Sequence, residues 1–252
     1  MKTRIWSLGA AALLATSGLA EEPATVALPG GTFLMGGREG GAPSPREVTV
    51  GPFRIGRTEI TVRELTDWLN AAGAPEGFAS PQVAREDGRF VPARGVEKVP
   101  ASGVRYDEAL AYCGWLSGAR GRRVRLPTES EWEYAARGGV DNARYPWGWG
   151  PPDDRACFRA AAPRSVGSYP PNGFGLYDMA GNVYEWCLAG NGGDKAVARG
   201  GSWSERDPMF LRVYKSVEFP RSYRNADVGF RIVIEEENKA EPGAVEAATG
   251  KP

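Results

Sequence analysis

Asn172-Gly173-Phe174-Gly175-Leu176-Tyr177-Asp178-Met179-Ala180-Gly181-Asn182-Val183-Tyr184-Glu185-Trp186 is the stretch whose reading decides the architecture. Glycine at 173, 175 and 181, with Asn172, Asp178 and Asn182 among them, is turn chemistry: glycine supplies positive φ, and Asn and Asp bond to nearby backbone. Turn signals dominate from Gly139 to Gly192, so neither a long helix nor a regular sheet is expected there. Composition extends the point. Gly 34 and Pro 20 make up about a fifth of the 252 residues, while 42% hydrophobic and 25% charged residues sit at the globular average. The expectation is one ordered domain with much irregular backbone.

Three segments have helical character. Thr61-Val62-Arg63-Glu64 is a capping box ahead of Leu65, Trp68 and Leu69, with Gly73 as the stop. Tyr106 to Ser117 carries Ala109, Tyr112, Cys113 and Leu116 on one face. Thr128-Glu129-Ser130-Glu131 is a second box, leading to Trp132, Tyr134 and Ala135 and closed by Gly138-Gly139. Strands are expected at Gly31–Met35, Glu47–Ile55, Ala198–Trp203 and Val228–Ile234.

The ends read differently from the middle. Lys2 and Arg4, the apolar run Ile5–Ala15 and Ser17-Gly18-Leu19-Ala20 have the form of a signal peptide covering 1–20. A periplasmic or secreted protein with no membrane anchor after cleavage follows. The domain is expected over 23–234, and the acidic, then Ala/Gly/Pro-rich segment 235–252 as a disordered tail. With 31 basic and 31 acidic side chains no long-range field gathers nucleic acid. The absence of histidine excludes Ser/His/Asp and Cys/His catalysis and imidazole-held zinc or iron.

Gly30–Gly36 (GGTFLMG), Arg57–Thr61 (RTEIT), Ala111–Trp115 (AYCGW), Arg125–Gly139 (RLPTESEWEYAARGG), Tyr145–Gly148 (YPWG), Asn172–Trp186, Arg199–Trp203 (RGGSW) and Gly229–Arg231 (GFR) together resemble the successive signatures of the sulfatase-modifying factor family. The resemblance implies an α+β formylglycine-generating-enzyme fold, C-type-lectin-like and low in regular secondary structure. In formylglycine-generating enzymes two cysteines after the Gly-Gly-Ser-aromatic motif bind copper and activate oxygen. Here the matching positions fall on Glu205 and Phe210, which cannot form a two-coordinate Cu(I) site. Neither copper nor histidine-ligated iron is therefore expected.

The family also implies a structural Ca2+ held by Asp178, the carbonyls of Gly181 and Val183, and Glu185. The alternative is that these carboxylates cap turns or pair with an arginine. In human-type relatives the counterpart of Cys113 pairs with a cysteine at the place of Ile232, so Cys113 is expected as a buried thiol. Cys157 and Cys187 are left either to pair across the turn-rich region or to remain thiols.

Weaker signals have plainer readings. Arg120, Arg122, Arg123 and Arg125 read as a solvated face with one or two structural pairs, and Glu131 as part of its capping box. Trp132, Trp147, Trp149, Trp186 and Trp203 read as core more than as sugar platforms.

Two functions of different class follow. One is a monomeric binding or accessory module whose cleft, built from Trp203, Glu205, Arg206, Asp207, Phe210, Arg212 and Tyr214, takes a protein or small-molecule ligand. The other is a periplasmic oxidoreductase or tailoring enzyme, as in the branch that matures the siderophore pyoverdine, with Glu205 as base beside Tyr214. Formylglycine generation on sulfatases is a distant third.

Overall fold

The helix starts are set by local hydrogen bonds, where the capping boxes place them. Helix α1 (Val62–Ala72) begins with Thr61 Oγ1 accepting from the Glu64 N–H, while the Glu64 carboxylate accepts from the Thr61 N–H at 2.7 Å. Gly73 closes it by donating to Leu69 O. Helix α2 (Tyr106–Arg120) runs past Ser117 and ends only at Gly121, which adopts the left-handed conformation. Helix α3 (Glu129–Arg137) repeats the box with Thr128 and Glu131 and stops at Gly138.

The structure is a computed structural model and describes residues 22–39, 42–189 and 193–235. The expected signal segment 1–20 lies outside the described residues, as does the tail beyond Glu235. The strands are β1 (Thr25–Leu28), β2 (Gly31–Met35), β3 (Arg46–Val50), β4 (Phe53–Gly56), β5 (Val83–Glu86), β6 (Arg89–Pro92), β7 (Val124–Arg125), β8 (Tyr184–Trp186), β9 (Lys195–Arg199), β10 (Ser216–Pro220), β11 (Val228–Gly229) and β12 (Val233–Glu235). They form two four-stranded sheets, ordered β1-β4-β12-β7 and β10-β9-β8-β11, and two hairpins, β2-β3 and β5-β6. Short strands, three helices and long turns make this an α+β fold low in regular structure.

Three expected strands differ from the observed ones. Glu47–Ile55 divides at Gly51-Pro52, where proline supplies no ladder N–H, and its halves β3 and β4 enter different sheets. Val228–Ile234 divides around Arg231, which is buried between the two sheets' ends β11 and β12. The third begins earlier, at Lys195, and ends at Arg199, because Gly200 and Gly201 turn at φ 97° and 75°. β12 includes Glu235.

The core has two main parts. One surrounds Leu65, Trp68, Tyr112, Leu116 and Phe230 beneath α1 and α2; the other surrounds Phe53, Trp132, Leu176 and Val233 beneath α3. Among the described residues no helix is long and apolar enough to cross a membrane.

Candidate functional site

The Gly200-Gly201 turn delivers residues 202–205 as a strap held by main-chain bonds on both sides. Trp203 N donates to Asn182 O at 2.8 Å, Ala160 N to Trp203 O at 2.9 Å and Arg159 N to Glu205 O at 2.9 Å. Beside the strap lies a groove of about 570 Å³, walled by Pro81, Val99, Ala162, Pro163, Trp203 and Ala226 among others. Arg224 also borders it, but its guanidinium is spent on Ala79 O, Gly103 O and the buried Glu108 carboxylate. The groove is therefore largely apolar and uncharged.

Polar chemistry gathers at the strap's end. Glu205 Oε1 accepts the Tyr184 hydroxyl at 2.6 Å. Burial, then the hydrogen bond to this carboxylate, pushes the Tyr184 phenol far above its ordinary range. Tyr223 stacks on Phe219 with ring centroids 4.3 Å apart and donates to Asp227 at 3.4 Å. Burial raises the Asp227 carboxyl above the usual range.

The expected cleft residues do not share one surface. Trp203 lines the groove and Glu205 follows it two residues along the strap; Arg206 and Asp207 are exposed. Asp207 caps the 3₁₀ turn Pro208–Leu211 through Met209 N. Phe210 packs with Tyr145, Trp147 and Leu211 in a third small cluster. Beyond that turn Arg212 and Tyr214 join Glu39, with Tyr214 donating to Glu39 at 3.1 Å. The phenol that serves Glu205 is thus Tyr184, not Tyr214. Tyr184 and Arg224 were missed by sequence reading. Tyr184 could have been found, since it neighbours Glu185 in a strand and so faces the opposite side.

The expected calcium loop resolves differently. Both oxygens of Glu185 are occupied: Arg231 Nε donates at 2.6 Å, Arg231 Nη2 at 2.7 Å and Trp132 Nε1 at 2.6 Å. Arg231 also donates to Gly56 O and Tyr177 O. This is the arginine-pair alternative, and a carboxylate so committed does not fit a cation ligand; the set Asp178, Gly181, Val183 and Glu185 loses its strongest member. Asp178 accepts Gly167 N at 2.6 Å. Burial pushes its carboxyl up to about 6 and lifts that of neighbouring Glu59 well above the usual range. Glu59 Oε1 accepts from Asn182 at 3.1 Å, while Glu59 Oε2 has no hydrogen-bond partner. Such a pair is satisfied by one shared proton. Among the described residues no group of three or more Cys, Asp or Glu is placed to hold a metal ion. Gly181, at φ 79°, is irreplaceable here, because an added Cβ would meet Cys157 O at 2.3 Å.

Cys113, Cys157 and Cys187 are all free and buried, so of the two alternatives left open for Cys157 and Cys187 the structure has the thiols. Cys157 Sγ points to Ala162 O and Cys187 Sγ to Glu185 O, the latter inside the α3 core. Burial pushes the Cys113 thiol up to about 12 and raises those of Cys157 and Cys187.

Trp132 and Trp186 are core, as read, but the arginine run carries more pairs than the one or two expected. Arg122 pairs with Glu22, Arg123 with Glu235, and Arg125 with both Glu131 and Glu235. Glu129 and Glu133, on the other face of α3, bind the buried Arg199. Two tryptophans depart from the core reading: Trp149 is 61% exposed, and Trp203 is half-buried and lines the groove.

The family model described as sulfatase-modifying factor enzyme 1-like domain matches residues 10–236. The chain belongs to this family. Among its members, the mouse (Mus musculus) protein named inactive C-alpha-formylglycine-generating enzyme 2 is 37% identical over 244 residues, covering 74% of this chain and 76% of that protein. A Chlamydia pneumoniae serine/threonine-protein kinase, pkn1, is 37% identical over 172 residues; the match covers 64% of this chain but only 27% of the kinase. The structure of PvdO from Pseudomonas aeruginosa superposes with a TM-score of 0.72 at 30% identity, covering 85% of this chain and 95% of that one. The family's fold is thus this chain's fold.

Proposed function

We propose that this chain is an exported, monomeric binding or accessory module of the family, periplasmic or secreted, which holds a protein segment or small molecule in the Trp203 groove and does not generate formylglycine. The observation that carries the proposal is Glu205. By the resemblance it matches a place where the family's copper enzymes have a cysteine, and its carboxylate is already engaged by Tyr184 at 2.6 Å. Oxygen donors of this kind do not fit Cu(I), which selects soft thiolates. The three thiols are elsewhere, and burial keeps them protonated. The name of the mouse relative, an inactive formylglycine-generating enzyme, agrees with this reading. Nothing in the balanced charge calls for a nucleic acid.

A second reading is favoured by the likeness to PvdO: a tailoring oxidoreductase in which Glu205 and Tyr184 exchange protons with a substrate seated in the groove. A single experiment tests the first reading against formylglycine generation. The purified chain is incubated with Cu(I), oxygen and a cysteine peptide, and in parallel screened against a displayed peptide library. We expect an unchanged peptide, and selected binders that lose affinity when the groove is blocked by Ala162→Arg. Turnover of the cysteine peptide that disappears in Glu205→Ala would overturn the binding-module reading.

A further inference from the structure

A second cavity, of about 430 Å³, opens between residues 144–159 and the Pro208–Leu211 turn. Three guanidinium groups border it, those of Arg144, Arg159 and Arg212, with Tyr145, Phe158 and Pro208 as its apolar flanks. Two of the three share a single carboxylate. Arg144 Nε donates to Glu39 Oε1 at 2.7 Å and Arg212 Nη1 contacts Glu39 Oε2 at 2.8 Å. Arg212 Nε is buried and has no hydrogen-bond partner, which is a costly state for a charged donor.

Arg159 is the least neutralised of the three. Its nearest carboxylate is Asp153 at 3.8 Å, and the side chains are 50% and 67% exposed, so solvent screens most of that attraction. Its backbone is unusual as well. Among the described residues, the other non-glycine positions with positive φ are Asp or Asn, which tolerate that conformation. Arg159 adopts φ 50°, held there by its own N–H to Glu205 O and by Ala160 N to Trp203 O. Glycine would take this conformation without strain. The arginine found instead lays its guanidinium over the Phe158 ring, 4.9 Å from the centroid, at the border of the cavity. Strain of this kind persists where it serves a site.

We propose that this cavity binds an oxyanion, the phosphate, sulfate or carboxylate group of a ligand. The Nη groups of Arg159 are its donors, Arg159 Nε being held by Arg206 O at 2.9 Å, while Arg144 and Arg212, whose planes Glu39 presets, add positive charge beside it. Planar guanidinium forks match the oxygen spacing of such groups and bind them through charge-assisted hydrogen bonds. The site is separate from the Trp203 groove and does not depend on what that groove holds.

The test is calorimetric titration and thermal unfolding of the purified chain with sodium phosphate, sodium sulfate and sodium acetate, each against sodium chloride of equal ionic strength. Saturable binding by at least one oxyanion, with a raised unfolding midpoint, is expected. Preference for phosphate or sulfate assigns a tetrahedral group, and preference for acetate assigns a carboxylate. Arg159→Gly removes the guanidinium and the backbone strain together. It is expected to unfold at an equal or higher temperature in plain buffer, yet to bind the oxyanion at least about tenfold more weakly, the loss of one charge-assisted bond. The proposal fails if all three salts act like sodium chloride, or if Arg159→Gly binds as tightly as the parent chain.

Discussion

Glu185 and Arg231 form a fully buried, two-point ion pair, with nitrogen–oxygen distances of 2.6 and 2.7 Å and no solvent exposure on either side chain. Through Trp132 Nε1 and the carbonyls of Gly56 and Tyr177 the pair ties α3, β4 and the 172–186 turns to the Gly-Phe-Arg segment. Removing one partner strands the other without water. Glu185→Gln is expected to cost about 3–5 kcal/mol, read by urea or thermal unfolding. Arg231→Lys should be nearly as damaging, because a lysine cannot supply the planar fork. A loss below about 1 kcal/mol in both variants would contradict a structural role of this size.

With Glu185 so committed, millimolar calcium is expected to leave the unfolding midpoint unchanged. A saturable rise that disappears in Asp178→Asn would show instead that Asp178 and neighbouring carbonyls recruit the ion on their own.

Stability should fall on both sides of a pH optimum. On the acid side, burial alone would raise Glu131, but hydrogen bonds from Arg125 and Thr128 hold it below its ordinary value of 4.5. Arg125 likewise lowers Glu235. A carboxyl depressed in the fold stabilises above its unfolded value, and that contribution is lost as pH falls through the folded value. The Glu59 and Asp178 carboxyls are raised by burial, so they act in the opposite sense: for Asp178 stability declines as pH climbs from 3.8 through about 6, and Glu59 adds to the same decline. Unfolding followed from pH 3 to 9 should show both limbs. Arg125→Met should flatten the acid limb, and Glu59→Gln the other.

The helices were legible because their signals are local: Thr61 with Glu64 and Thr128 with Glu131 announce their own starts. β1, β5, β6, β7, β8 and β10 were not, since runs this short gain their identity from distant partners such as Tyr184 with Val228. The site was half legible. Trp203 and Glu205 could be located by their distance from Gly200-Gly201, but Arg212 and Tyr214 were assigned to the same cleft only because they follow closely in sequence. The 3₁₀ turn at Pro208–Leu211 redirects the chain between them, and no local pattern reports where a turn aims the residues after it.

The thiols give a direct chemical check. No disulfide links them, so a reductant should leave the unfolding midpoint unchanged. Burial keeps Cys113 and Cys187 protonated, so both should resist alkylation at pH 8 until the chain unfolds. Mass spectrometry of the intact protein, folded and in denaturant, reads both outcomes. A midpoint that drops under reductant would restore a Cys157–Cys187 bridge.

Tyr184→Phe deletes the bond to Glu205 without altering ring packing. A cost of about 1.5–3 kcal/mol is expected for a hydrogen bond to a charged group. Because the Tyr184 phenol sits far above its ordinary range, the folded variant and parent should show the same tyrosinate absorbance through pH 11. Earlier ionisation in the parent alone would place Tyr184 in open solvent.

The strap from Ser202 to Glu205 is fastened by peptide groups, through Trp203 N, Trp203 O and Glu205 O, so its path does not depend on which side chains it carries. Position 205 can therefore be rewritten while the strap keeps its path. A side chain carried there is then a removable fitting: it can be exchanged at the cost of its own contacts, without unseating the backbone that presents it.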